Sequence, residues 1–223
     1  MNDFFVFEGL DGCGKSTQIK MLSDHLESRG LACRCLHFPR TTGFFGQMIA
    51  RFLRGEFGNA SEVPVDFVAL LYAGDRADAT DDIRKWRRQS TCVIADRYVY
   101  SNMAFQAAKV DNEQEKRHLR NWIENLEFEH NGIERPDLSI YLHVPFEFIR
   151  GQLSRERDGP ERKYLNGKED IHESSLTLQR RVEAEYLSLC SKREDMVLVN
   201  CARDGQMLSA DEIHEQVLDV VPL

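Results

Sequence analysis

Residues 4 to 17 read FFVFEGLDGCGKST, an apolar run that passes without interruption into Gly9-x-x-x-x-Gly14-Lys15-Ser16. Phe4–Phe7 has the length and content of a buried strand, and Ser16–Leu26 is compatible with a helix. A strand feeding a glycine-rich turn that opens a helix is the context in which this spacing binds phosphate. Glycines at 9, 12 and 14 let the backbone curl so that its N–H groups point inward at phosphate oxygens. The following helix adds the positive end of its dipole. Lys15 can reach the β- and γ-phosphates, and the Ser16 hydroxyl can ligate Mg²⁺. The loop residues Gly9, Asp11, Gly12, Cys13, Gly14, Lys15, Ser16 and Thr17 are therefore expected to hold a nucleoside triphosphate.

Five short apolar runs read as buried strands: Phe4–Glu8, Cys33–Phe38, Cys92–Asp96, Leu138–Val144 and Met196–Asn200. Near-continuous apolar content is what parallel strands covered on both faces require. Helical patterns lie between them. They are Lys15–Ser28, Pro64–Gln89, Tyr98–Lys109, Glu113–His130, Phe146–Glu156, Leu176–Cys190 and Ser209–Val221, the last opening with the capping-box pattern Ser209-x-x-Glu212. The alternation predicts an α/β fold with a five-stranded parallel sheet and helices on both faces. Ligands then gather outside the carboxyl ends of the strands.

At 223 residues the chain is one α/β domain with room for a small insert. The net charge of −8 argues against a general nucleic-acid binder, which would be basic. The six cysteines have no zinc-ligand or CxxC spacing and read as reduced thiols of a cytoplasmic protein. No signal-peptide order and no membrane-length apolar run is present, so neither a membrane nor nucleic acid is an expected partner.

Asp96, closing an apolar strand, suits a Walker-B carboxylate that holds Mg²⁺, and it could also cap the next helix. Arg97 follows it directly, and Arg40 stands after the second strand. A guanidinium binds phosphate in a bidentate manner that lysine cannot copy. Two arginines at strand mouths besides Lys15 point to a second phosphate group, hence to phosphoryl transfer onto a phosphorylated acceptor. The segment 155–173, RERDGPERKYLNGKEDIHE, is too charged for core. It reads either as a solvated loop or as a lid, over about 153–173, whose Arg155, Arg157 and Arg162 fold over the transferring group.

Four motifs occur in one order along nearly the whole chain: the loop with Asp11 inside it, Phe38-Pro39-Arg40-Thr41-Thr42, Leu70-Leu71-Tyr72-Ala73-Gly74-Asp75-Arg76, and Asp96-Arg97-Tyr98 followed by Ser101 and Ala104-Phe105-Gln106. With them the chain resembles the thymidylate kinases. The resemblance implies a single P-loop NTP hydrolase-type domain over 1–223, transfer of the γ-phosphoryl of ATP to dTMP giving dTDP, Mg²⁺ at Ser16 and Asp96, and a homodimer through helices between residues 46 and 110. It implies that Asp11 accepts from the acceptor's 3′-hydroxyl and that Arg40 and Arg97 clamp its phosphate. It has Tyr72 stack on the base, Arg76 bond a base carbonyl, and Phe105 and Gln106 line the base pocket beside Phe38 and Ser101. Tyr98 is expected to crowd out a 2′-hydroxyl. Because a small residue pair, Gly12-Cys13, occupies the loop, the catalytic arginine would come from Arg155, Arg157 or Arg162, joining Lys15 and Arg97. The pattern departs from the family at Asp170-Ile171-His172-Glu173, where many relatives have an arginine. The adenine site is expected around Cys201–Gly205.

Two other readings remain. One is a kinase for another acceptor such as dUMP, CMP, a nucleoside or a small metabolite. The other is a nucleotide-binding regulator without turnover, against which the missing Asn-Lys-x-Asp guanine motif counts.

Overall fold

The computed structural model describes residues 3–59, 62–153 and 176–222. The expected lid segment from 154 onward, with Arg155, Arg157 and Arg162, lies outside the described residues. No helix among the described residues is long and apolar enough to cross a membrane.

The sheet has five parallel strands: β1 (Phe4–Glu8), β2 (Cys33–His37), β3 (Cys92–Asp96), β4 (Leu138–His143) and β5 (Met196–Asn200), in the order β2-β3-β1-β4-β5. Every residue of β1 and β3 is buried, as their apolar runs require. Burial of each large apolar side chain there contributes roughly 1.5–3 kcal/mol. In register, Phe7 stands beside Asp96 of β3 and Ile140 of β4. The carboxyl ends of these three strands therefore share one edge. β2 differs from expectation: it is the sheet's margin, and Arg34, Cys35 and His37 are exposed.

Around the sheet run α1 (Lys15–Ser28), α2 (Gly43–Leu53), α3 (Val65–Arg88), α4 (Val99–Ala107), α5 (Glu113–Glu124), α6 (Phe146–Leu153), α7 (Leu176–Cys190) and α8 (Ala210–Val220). α1 and α8 pack on each other, while α3, α4, α5 and α7 form a second connected group. α1 starts where Gly14 adopts a φ of 92° and buries Ile19, Leu22 and Leu26 on the sheet. α8 carries the capping box expected from Ser209 and Glu212.

Three features were not legible in the apolar pattern. α2 contains Gly43 and Gly46, poor helix formers that hide its period. Gly46 is there for space: a Cβ would lie 2.0 Å from the Arg40 carbonyl oxygen. α2 thus supports the Phe38–Arg40 loop backbone to backbone and builds a satellite core from Ile49, Phe52, Val68 and Leu71. A small antiparallel hairpin, β6 (Ala202–Arg203) and β7 (Gln206–Met207), follows β5. Finally, α5 widens into a π-helical turn, Asn125–His130, which faces Glu127 into the protein with no solvent exposure.

Candidate active site

The loop between β1 and α1 folds as its glycines demand. Gly9 has a φ of 149°, and a Cβ there would lie 2.6 Å from Cys13 Sγ and 3.0 Å from the Leu142 carbonyl oxygen. Cys13 is buried beneath the loop, and burial raises its thiol pKa, which keeps it unreactive. Lys15 is 7% exposed. Its Nζ donates to the Gly9 carbonyl at 3.3 Å and the Leu10 carbonyl at 3.0 Å, and lies 4.0 Å from Asp96 Oδ1. Asp11, Gly12, Gly14, Ser16 and Thr17 line a cavity of about 810 Å³.

Asp96 ends β3 at the cavity wall. Burial alone would raise its carboxyl, but Lys15, His37 and Arg97 outweigh burial and hold it below the usual carboxylate value. His37 Nδ1 sits 3.3 Å from Oδ2. Oδ1 is buried and has no hydrogen-bond partner among the described residues. An ionised carboxylate with that oxygen unbonded, in the same cavity as the exposed Ser16 at the start of α1, fits a hydrated divalent cation.

Arg97 is the least ordinary residue of the site. It is 9% exposed, and its φ of 68° lies in the left-handed region, which costs a non-glycine residue about 1–3 kcal/mol. The strain persists because the residue is fixed on all sides. Its N–H donates to the Phe7 carbonyl at 2.8 Å. Nη2 donates to Asp11 Oδ1 at 2.8 Å, and Nη1 to Ser101 Oγ at 3.1 Å and Tyr186 OH at 3.4 Å. The Phe105 ring lies 5.2 Å below the guanidinium. Burial disfavours the cation, but Asp11, with Asp96, reverses this and raises the pKa well above the usual arginine value.

Beyond Arg97 the cavity continues between α3 and α4, lined by Phe38, Tyr72, Arg76, Asn102, Phe105 and Gln106. Arg76 is 2% exposed and forms a two-point pair with Glu127, with Nε to Oε2 at 2.6 Å and Nη2 to Oε1. Asn102 donates to the same Glu127 oxygen at 2.9 Å and to the Ala69 carbonyl at 3.1 Å. Its own Oδ1 accepts from Gln106 at 3.4 Å. Asn102 and Glu127 were missed from the sequence. Asn102 had a faint signal, being one turn before Gln106 in an otherwise apolar helix.

Two expected residues do not reach this wall. Tyr98 is 1% exposed and packs between Phe4 at 5.1 Å and Phe38 at 5.6 Å, its hydroxyl bonded to the Glu134 carbonyl. It packs as a core aromatic and is not among the residues that line the cavity. Arg40 is held outside the lining by Asp75, which accepts from its N–H at 2.8 Å and its Nε at 2.9 Å. Cys201, in the region expected to meet adenine, is fully buried, whereas Asp204 and Gly205 in the hairpin turn are exposed.

A phosphate loop, a carboxylate closing the neighbouring strand β3 and a buried arginine facing a second, aromatic and amide-lined compartment define a phosphotransferase of the P-loop nucleoside monophosphate kinase class. The thymidylate kinase family profile matches residues 7–213. A thymidylate kinase of Mycobacterium tuberculosis is 34% identical over 192 residues, covering 84% of this chain and 85% of that one. A probable thymidylate kinase of Pyrococcus abyssi is 31% identical over 221 residues, covering 98% and 95%. A solved thymidylate kinase structure from Candida albicans shares the fold, with a TM-score of 0.74 at 23% identity over 98% of this chain and 90% of that one. The chain belongs to the thymidylate kinase family.

Arg76 depends on Glu127 for its charge balance. Glu127→Ala leaves a buried, uncompensated guanidinium and is expected to cost about 3–5 kcal/mol in denaturant unfolding. A loss under 1 kcal/mol on the order of a surface pair would show that the two charges are not buried together.

Proposed function

We propose that this protein transfers the γ-phosphoryl group of Mg·ATP to dTMP, giving dTDP. The observation that supports it most is Arg97: a buried cation standing between the triphosphate loop and a base-sized compartment. Such a residue has a use in a kinase with a phosphorylated acceptor and none in a plain nucleotide switch.

In this reading the loop N–H groups, Lys15, Ser16 and Thr17 hold the donor phosphates. Mg²⁺, bound by Ser16 and through water by Asp96, would add positive charge at the β- and γ-phosphates. Arg97 binds the acceptor phosphate and brings its oxygen in line with the donor. Arg40 joins it only by giving up Asp75. The acceptor oxygen is already ionised at neutral pH, so no general base is needed. Asp11 accepts from the 3′-hydroxyl, Tyr72 and Phe105 flank the base, and Arg76 with Gln106 bonds its edge. Charge on the transferring group falls to Lys15, Arg97 and the arginines of the 155–162 segment.

An ADP-release assay with Mg·ATP against dTMP, dUMP, CMP, UMP, dGMP and thymidine tests this. Strong turnover with dTMP, less with dUMP and little with the others is expected. Lys15→Ala and Arg97→Ala should each lower kcat/KM by about 10²–10³-fold or more while circular dichroism stays unchanged. Near-normal rates in both variants would refute the site, and ATP binding without any turnover would favour a regulator.

We also infer a homodimer through α2 and α3, where Phe44 is 71%, Phe67 39% and Leu70 44% exposed. Sedimentation should give twice the 25.8 kDa chain mass. Introducing Asp at Phe67 and Leu70 should give monomers, and a monomeric wild type would overturn the inference.

A further inference from the structure

Glu8 closes β1 one residue before the phosphate loop and has no solvent exposure. Taking a carboxylate out of water costs several kcal/mol, and an apolar residue at the same place would avoid that cost. Among the described residues no ion pair reaches it. Its four lone-pair positions are filled by four neutral donors instead. Oε1 accepts from the Tyr98 N–H at 3.0 Å and the Ser101 N–H at 3.1 Å. Oε2 accepts from the Ser101 hydroxyl and from the Tyr186 hydroxyl, the latter at 2.9 Å.

The two halves of this carboxylate do different things. Oε1 caps α4, whose own N-cap residue Tyr98 supplies no side-chain bond. α4 carries Ser101, Asn102, Phe105 and Gln106, four residues of the acceptor wall. Oε2 sets the direction of two hydroxyl protons. Arg97 can only donate, so Ser101 Oγ and Tyr186 OH must offer it lone pairs. Each has one hydrogen, and it has to point elsewhere. Glu8 Oε2, which only accepts when ionised, takes those hydrogens. The two hydroxyls also lie 2.7 Å apart, within hydrogen-bond reach of each other, so their two hydrogens are shared between Oε2 and that contact and none is left for the guanidinium side. Tyr186 is fixed in turn by stacking on Tyr141, with ring centroids 4.8 Å apart.

We propose that Glu8 is a positioning residue for phosphoryl transfer: through the Ser101 and Tyr186 hydroxyls it fixes the Arg97 guanidinium that receives the acceptor phosphate. This rests on the proposed function. It adds that the acceptor arginine is oriented from behind by a carboxylate on the donor loop's own strand, so one residue links the two half-sites.

The isosteric variant Glu8→Gln separates this from a purely structural role. A glutamine carbonyl in place of Oε1 keeps the α4 cap and the shape. The amide nitrogen in place of Oε2 donates to the two hydroxyls, reverses their hydrogens and points them at Arg97. Tyr186→Phe removes one hydroxyl and keeps the stack on Tyr141. We expect Glu8→Gln to fold and to lose kcat/KM for dTMP by on the order of 10- to 100-fold, the effect of removing an outer partner from a functional group. The Kd for ATP should stay within about twofold, well under the 1.4 kcal/mol of a tenfold change. Tyr186→Phe should shift the same parameter less, and the double variant should be less than additive.

Wild-type dTMP kinetics in a folded Glu8→Gln, or an equal loss in ATP affinity, would overturn the proposal. If Glu8→Gln fails to fold, Tyr186→Phe decides, and wild-type kinetics there would overturn it. A wild-type enzyme silent on dTMP would overturn the function and this role together. An active wild type with an unaffected Glu8→Gln overturns this role alone.

Discussion

A guanidinium almost cut off from water has to be surrounded by acceptors, and the arrangement around Arg97 sets the rest of the site. Its position at the end of β3, in a left-handed conformation tied to the Phe7 carbonyl, fixes it between β1 and α4. Asp11 from the phosphate loop, Ser101 from α4 and Tyr186 from α7 must then converge on it. Three parts of the chain far apart in sequence are held together by the needs of one cation. The same cation divides the cavity into a phosphate-binding side and an aromatic side.

The same rule, that a buried charge requires a designated partner, organises the far wall. Arg76 is balanced by Glu127, and Glu127 reaches it because α5 loosens into a π-helical turn. Asn102 and Gln106 extend that pair along α4 toward the cavity. The second compartment is thus built from groups whose donors and acceptors are already oriented before anything binds, which lowers the cost of ordering a ligand there.

How much of this the sequence carries depends on the range of the interaction. The β1, β3 and β5 bounds follow from local apolar runs, and the Gly9–Ser16 loop from local spacing. Asp96 and Arg97 were legible because strand ends in a parallel sheet share one edge. Glu8, Glu127 and Tyr186 were not, since their meaning comes from partners 93, 51 and 178 residues away along the chain. The pairing of Arg40 was hidden for the same reason: its partner Asp75 is 35 residues distant. Tyr98 adjoins Arg97 in sequence, yet its ring packs between Phe4 and Phe38, a placement that local sequence does not show. α2 was hidden by Gly46, a residue chosen for close approach to the Arg40 carbonyl rather than for helix formation.

We propose Arg97 as the residue that receives the acceptor phosphate beside the donor loop. A crystal structure with dTMP and a non-hydrolysable ATP analogue tests it most directly. Acceptor phosphate oxygens are expected about 2.7–2.9 Å from the Arg97 guanidinium, with the base between Tyr72 and Phe105 and its edge at Arg76. A monophosphate bound elsewhere, with Arg97 still engaged only by Asp11, Ser101 and Tyr186, would contradict it.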